Sequence, residues 1–404
     1  MPELLFLRFV YIAFMHYHAH LRSAVSILEL YRGNEPFSSF LKKHFAANKK
    51  FGSKDRRQIT HLCYCYFRLG KLGLSIPVEE RIITGLFFCS AAPNDMLAAL
   101  RPEWNEEAAL GVKDKCSMLN AQYSINNVFP WKTELSPGVD YEKFCESFFI
   151  QPDVFLRLRP GHETKVRQKL ANADIAYVAV GDTSIALPSA SKLDQVLALD
   201  DEAMVQDLNS QQVGRFYKTA LSKMSLPFIS AWDCCAGSGG KSLMLFDLQD
   251  KLELVVSDKR ESILYNLKKR FQEHGIKNYK AVIADLAKSL PANIKNSKFN
   301  MIICDAPCSG SGTWGRTPEQ LYYFDKKMID EYATLQKKIV SNAVGQLQKG
   351  GMFVYITCSV FKKENEEVVQ YMQQNFPLEL IEMKIMEGYD KKADTMFAAL
   401  LRLP

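Results

Sequence analysis

Three stretches of this chain pair reactive side chains with backbone that would expose them. Asp305-Ala306-Pro307-Cys308-Ser309-Gly310-Ser311-Gly312 and Thr357-Cys358-Ser359 each follow an apolar run and present a cysteine, the first with a carboxylate beside it. A buried cysteine is by default a small hydrophobe. Two of them at strand ends beside an aspartate point instead to a thiolate nucleophile, which turns one hard step into two easier ones. The third stretch, Asp233-Cys234-Cys235-Ala236-Gly237-Ser238-Gly239-Gly240-Lys241, is a glycine-rich turn that opens a helix and offers amide hydrogens to a ligand. Its spacing is not GxxxxGK[ST], which excludes a phosphate-binding P-loop. Asp258 lies roughly twenty residues on, where an acid accepts hydrogen bonds from ribose hydroxyls. Asp285 ends a further apolar run and suits an adenine amino group. Together the three imply an adenosine-containing cofactor.

These groups need elements that bring them to one rim. Phe228 to Cys234, Leu252 to Ser257, Lys280 to Ala284, Phe299 to Asp305 and Gly351 to Thr357 are apolar runs of strand length. Helical stretches at Lys241 to Leu248, Glu261 to His274, Asp330 to Leu347 and Lys363 to Asn375 fill the gaps. That alternation predicts a parallel, doubly wound α/β sheet, whose ligands sit beyond the carboxyl ends of the strands. Met396 to Leu401 reads as a final, antiparallel strand.

Upstream the pattern changes. Leu21 to about Leu119 is helical, with Ala24, Leu28 and Tyr31 on one face and Ile59, Leu62, Cys63 and Phe67 on another. Ser53 is the N-cap candidate for a helix whose first turn carries Arg56 and Arg57, a surface that meets phosphate or merely water. Asn126 to Pro137 reads as a connection, with Phe129-Pro130-Trp131 packing it onto the catalytic part. A small α+β unit follows: strands at Phe155 to Arg159, Ala176 to Val180 and Thr183 to Leu187, a helix at Glu163 to Ala171, and a turn at Gly181-Asp182. Arg157 and Arg159 point the same way from their strand, which gives it a basic face.

The 404 residues suggest two or three domains, and 47% hydrophobic with 24% charged residues excludes disorder and fibrous repeats. Fifty-one Lys and Arg against 45 Asp and Glu leave +6, a mild excess that permits an anionic partner. The ten cysteines include no CxxC pair, so free thiols in a reducing compartment are expected. Leu4 to Met15 is apolar but lacks a basic leader region and carries Arg8, and no later run reaches the ~20 residues of a membrane span. A soluble protein is expected. His16, His18 and His20 are read as lying on different helix faces without ligand partners, so no metal is expected.

DCCAGSGGK, DAPCSGSGTWGRTPE, the Leu335-Gln336 helix, GGMFVYITCS and Glu364-Asn365-Glu366 resemble the successive motifs of the Sun/Nop/RsmB family of RNA (cytosine-5) methyltransferases. The resemblance covers the whole C-terminal half. Val205-Gln206-Asp207 with Ser210-Gln211 is similar to the family's opening motif, and the segment DRRQITHLCYCYFR resembles the NusB-like RNA-binding domain of its bacterial 16S ribosomal members. The resemblance implies an all-α NusB-like domain at 1–120, a linker and small α+β substrate-side subdomain at 121–204, and a Rossmann-like class I methyltransferase domain at 205–404. It implies that Cys235, Ala236, Gly237, Ser238, Gly239, Gly240 and Lys241 line an S-adenosyl-L-methionine pocket, that Asp258 holds the ribose, and that Asp285 lies at the adenine. By the same resemblance Asp305 lies against the cofactor and orients and protonates the base, Cys358 is the nucleophile, and Cys308 assists breakdown of the covalent intermediate. Ser238 departs from the family's usual proline, which alters loop stiffness more than cofactor identity.

The reaction so implied is S-adenosylmethionine-dependent methylation of carbon 5 of an RNA cytosine, in ribosomal RNA by preference and in tRNA as the alternative, by a cytoplasmic monomer. The target base must be unpaired or flipped for the thiolate to reach carbon 6. Arg57, Arg157 and Arg316 are the expected RNA contacts. Two other readings stand beside it: Cys308 as the nucleophile, and a non-catalytic ribosome-assembly factor.

Overall fold

The computed structural model describes residues 2–119 and 123–404, with side chains from Met15 onward, and the expected domain boundary at 120/121 lies outside them. The chain forms two compact units. One is helical and comprises Met1–Lys132, Asp140–Gln151 and Trp314–Asp325; the other, with both sheets, takes the rest. The helical unit therefore does not end near 120, and it includes a piece of chain from the middle of the motif DAPCSGSGTWGRTPE.

Helices Pro2–Leu30, Phe37–Ala47, Ser53–Arg68 and Val78–Cys89 build most of the helical unit. The apolar positions recognised by their 3.6-residue period are all buried, Ala24, Ile59 and Leu62 completely. Gly52, not Ser53, is the N-cap of the third helix, and Asp55 three residues on accepts the Gly52 N–H at 3.0 Å. Phe129 and Trp131 pack with Phe144, Phe148 and Trp314 inside this unit. The inserted segment completes the core: Glu319, 4% exposed, accepts the N–H of Phe37 at 3.2 Å, and Tyr66 donates to Tyr322 at 2.9 Å.

The second unit opens with a four-stranded antiparallel sheet of β1 (Val154–Leu158), β2 (Val178–Ala179), β3 (Ser184–Leu187) and β4 (Ala203–Val205), in the order β2-β3-β1-β4. Helix Glu163–Asn172 covers one face through Val166 and Leu170. The two-residue period is at work here: Leu156 and Leu158 face that helix, while Arg157 faces the other way.

The large sheet contains β5 (Ile229–Asp233), β6 (Leu252–Asp258), β7 (Tyr279–Ile283), β8 (Phe299–Asp305), β9 (Leu347–Thr357), β10 (Glu379–Met386) and β11 (Met396–Arg402). Their order is β10-β11-β9-β8-β5-β6-β7; β5 to β9 pair in parallel and β11 is antiparallel to both neighbours. This is the Rossmann-like arrangement expected of the C-terminal half. Strands β5, β8, β9 and β11 are apolar at successive positions because helices cover both faces. Ala231, Met301, Ile303, Val354 and Ile356 meet helices Gly214–Met224 and Glu261–Glu273 on one side. Trp232, Ile302, Phe353 and Tyr355 meet Lys327–Val344 and Glu366–Asn375 on the other. The strand order reverses at β5, which lies between β6 and β8, so a crevice opens above the carboxyl ends of β5 and β8. No helix among the described residues is long and apolar enough to cross a membrane.

Candidate active site

The glycine-rich turn after β5 is tight because Gly239 adopts φ +85°, and a Cβ there would sit 2.7 Å from the ring of Phe271. That turn starts helix Gly240–Phe246, whose first residues face inward. Ser242 donates to Oδ2 of the fully buried Asp233 at 2.6 Å. Burial pushes the Asp233 carboxyl up to about 7; the Ser242 bond opposes the shift and the charge of Asp305 adds to it. Lys241 extends to Asp305, with Nζ 3.0 Å from Oδ2, and also donates to Ser210 Oγ at 3.0 Å. Burial acts to lower the Lys241 pKa, but Asp305 more than offsets this by charge and hydrogen bond, so Lys241 remains a cation.

β8 and β9 end side by side, as their parallel pairing dictates, and bring the two expected cysteines together. Cys308 Sγ lies 3.3 Å from Cys358 Sγ, and both thiols are free. The hydrogen bond with Cys358, reinforced by burial, raises the Cys308 pKa, so Cys308 keeps its proton and presents it to Cys358. A buried polar network fixes both loops. Glu364, with no exposed surface, accepts from Ser309 N–H at 2.8 Å, Ser359 Oγ at 2.8 Å and Gln336 Nε2 at 3.1 Å. Gln336 Nε2 also donates to the Pro307 carbonyl at 3.0 Å. Gly312 passes so close to the chain opposite that a Cβ would lie 1.9 Å from the Thr395 carbonyl oxygen.

Two cavities meet at this rim. One, of about 350 Å³, is lined by Cys234, Cys235, Asp258, Asp285, Asp305, Pro307 and Cys308. The other, of about 390 Å³, holds Ser210, Lys241, Asp305 and Cys358. Both volumes suit small organic groups. Asp305 borders both, and the Cys308–Cys358 pair reaches from one to the other. In the first cavity Asp258 accepts from Gly237 N–H at 3.2 Å and from Arg260 Nε at 3.0 Å. Burial alone would raise the Asp258 pKa; Arg260 and these amides lower it, so it is a carboxylate poised to accept. Asp285 caps its own turn through Ala287 N–H at 3.2 Å and turns an edge toward the same cavity.

Of the expected RNA contacts, Arg157 is engaged inside the protein. Arg157 is 7% exposed and its guanidinium is held by Gln206 at 2.8 Å and Asp247 at 2.5 Å. Arg159 takes the other Asp247 oxygen at 2.8 Å. The shared direction of the two arginines serves an internal ion pair, so Arg157 is no phosphate contact. Arg57 is exposed on the helical unit, and Arg316 lies half-buried on the segment inserted there. His16 and His20 share a helix face, contrary to the sequence reading, because four residues make one turn. Their Nε2 atoms lie 3.7 and 3.1 Å from Asp55 Oδ1.

Residues 229–402 match the family described as 16S rRNA methyltransferase RsmB/F. The chain is 27% identical over 364 residues to the ribosomal RNA small subunit methyltransferase B of Xanthomonas campestris pv. campestris, covering 80% of each chain. It is 33% identical over 156 residues to mouse tRNA (cytosine(72)-C(5))-methyltransferase NSUN6, of whose length that match covers 32%, about a third. The fold is similar to the crystal structure of PH0851, with a TM-score of 0.67 at 18% identity over 94% of this chain and 96% of that one. It is also similar to NSun6 from Pyrococcus horikoshii with SFG, with a TM-score of 0.56 at 15% identity over 65% and 94% of the two chains.

Proposed function

From the membership of residues 229–402 in the Sun/Nop/RsmB family of RNA methyltransferases, we propose that this protein methylates carbon 5 of a cytosine in ribosomal RNA, with Cys358 as covalent nucleophile. The observation that carries the reading is the thiol pair, 3.3 Å apart, at the junction of two cavities that share Asp305. The cavity with Asp258 and Asp285 fits S-adenosyl-L-methionine: its acids face the space an adenosine would fill, and Arg260, 56% exposed at the side chain, can swing away to leave Asp258 for the ribose hydroxyls. When bound there, the cofactor supplies an electrophilic methyl group.

The chain's own groups do the rest. Carbon 5 of cytosine is a poor nucleophile, so the Cys358 thiolate adds to carbon 6 and the ring takes a proton at nitrogen 3. The Lys241–Asp305 pair holds that proton within the base's cavity and neutralises charge as it develops. Electron density then rests on carbon 5. After methylation the carbon 5 proton leaves to a base and the Cys358–carbon 6 bond breaks. Cys308, a thiol kept protonated beside Cys358, assists the departure of that sulfur.

Ribosomal RNA is favoured over tRNA because the relatives that align over about 80% of both chains carry ribosomal names, whereas the tRNA relative aligns over 156 residues. The helical unit is read as a NusB-like RNA-binding domain, with Arg57 among its phosphate contacts. The test is a denaturing gel of Cys308→Ala and Cys358→Ala proteins incubated with S-adenosylmethionine and unmodified cellular RNA. A shifted RNA–protein band in Cys308→Ala alone is expected, and sequencing its RNA names the substrate. A shift in Cys358→Ala alone would reverse the two cysteines.

A further inference from the structure

The junction of β5 and β8 carries a sulfur cluster that no spacing in the chain reveals. Asp233 and Ile303 are partners in the parallel register, and Cys234 N–H donates to the Ile303 carbonyl at 2.9 Å. Cys234 therefore abuts Cys304, the next residue on β8, and Cys235 follows in the turn. The three Sγ atoms lie within 4.8 Å of one another. Cys234 and Cys304 are buried, and Cys235 is partly open to the cavity of Asp258 and Asp285. Three thiolates about 2.3 Å from a central zinc stand about 4 Å apart, so the trio needs little movement to close on one.

The surroundings favour a cation. Asp305 stands one residue beyond Cys304 on the same strand and places a carboxylate beside the trio. Lys241 supplies one positive charge and spends it on Asp305. Soft sulfur donors select thiophilic ions over the hard cations that oxygen ligands prefer.

We propose that Cys234, Cys235 and Cys304 bind one thiophilic d¹⁰ cation of the zinc group at the floor of this cavity, and that its occupancy excludes the adenosine cofactor; the second clause rests on the function proposed above. Binding forms three metal–sulfur bonds, releases the thiol protons to solvent and changes no oxidation state. The cation leaves Cys235 capped by metal where the cofactor would pack, so the exclusion is steric.

Cadmium reports on such a site through its ultraviolet sulfur-to-metal charge-transfer band. The full-length reduced protein is titrated with cadmium chloride alongside Cys304→Ala, Cys235→Ala and Cys63→Ala, the last being a buried thiol of the helical unit. One equivalent with a charge-transfer band is expected in the parent protein and in Cys63→Ala. Removal of a direct ligand, Cys304 or Cys235, should weaken binding by more than the roughly 10–100-fold that loss of an outer-sphere partner costs. Cys235 sits in a turn, so its variant tests the site even if Cys304→Ala fails to fold. Absence of the band, or equal titrations in parent and Cys235→Ala, would overturn the site. S-adenosylhomocysteine should weaken cadmium binding in proportion to its concentration. If it binds the metal-free protein in calorimetry yet leaves the cadmium titration unchanged, the exclusion is wrong. If it does not bind the metal-free protein, the cofactor assignment fails instead, and the cadmium titration still decides the site.

Discussion

Glu364→Ala should damage this protein more than any single change among its exposed charges. The carboxylate is fully buried and takes three donors, of which the Ser309 amide is fixed by the backbone. A hydrogen bond to a charged group is worth about 1.5–3 kcal/mol, and a buried donor left without a partner costs about 1–3 kcal/mol. In the variant the Ser359 hydroxyl can turn to Ser311, 3.2 Å away, and Gln336 keeps the Pro307 carbonyl, but the Ser309 N–H has nothing. Burial raises the Glu364 pKa, so removing the carboxyl also relieves a desolvation cost. The balance is a loss of about 3 kcal/mol for Glu364→Ala. Glu364→Gln should cost about 1 kcal/mol, because its carbonyl can still serve Ser309 while its amide opposes Ser359. Urea unfolding of the three proteins measures this directly. Ser309 and Ser359 each adjoin one of the paired cysteines, so Glu364→Ala should also lose the covalent RNA adduct under conditions where it is folded. A Glu364→Ala protein within about 0.5 kcal/mol of the parent would refute the argument, since surface changes cost no more than that.

Asp233 has its folded-state pKa raised to about 7, so it binds a proton in the folded chain that it would shed when unfolded. Its contribution is most favourable below about pH 4 and is lost as pH rises toward 7, by up to about 4 kcal/mol; Asp233→Asn should flatten the stability difference between about pH 5 and pH 8, and equal differences in both proteins would contradict this. Asp247→Ala strands two arginines, one of them buried, and should cost about 3–5 kcal/mol by urea unfolding, whereas a solvated pair would cost about 1 kcal/mol or less. Gly312→Ala drives a Cβ into the Thr395 backbone and should destabilise by about 1–3 kcal/mol or more while displacing Cys358, whose carbonyl accepts the Gly312 N–H; a crystal structure with the 3.3 Å sulfur separation intact would contradict it.

The parallel strands were legible because both faces of the sheet are covered and the apolar runs are unbroken; Phe299 to Asp305 has the bounds of β8 itself. β10 was not, because Glu379, Glu382 and Lys384 interrupt an edge strand only partly buried. β4 was missed because its three residues are too short for a period. The rim of Asp305, Cys308 and Cys358 followed from strand ends alone, a local property. What stayed hidden depends on partners far along the chain. Arg157 looked available because Asp247, its counter-ion, is 90 residues away. Cys304 looked like one more apolar strand residue because Cys234 reaches it only through the sheet register. Lys241 was placed at the cofactor with its glycine turn, and its bond to Asp305 needed the crossover from β5 to β8.

Residues 314–325 leave the sheet-bearing unit, complete the helical core with Trp314, Glu319 and Tyr322, and return. The chain thus passes from one unit to the other five times. A ribosome making this protein emits the first helices long before the segment that seals them, so the helical unit must wait, unfinished, for most of the catalytic sheet to be synthesised. Neither unit can be excised as a contiguous gene fragment and remain whole, which ties helical unit and sheet-bearing unit into a single unit of inheritance.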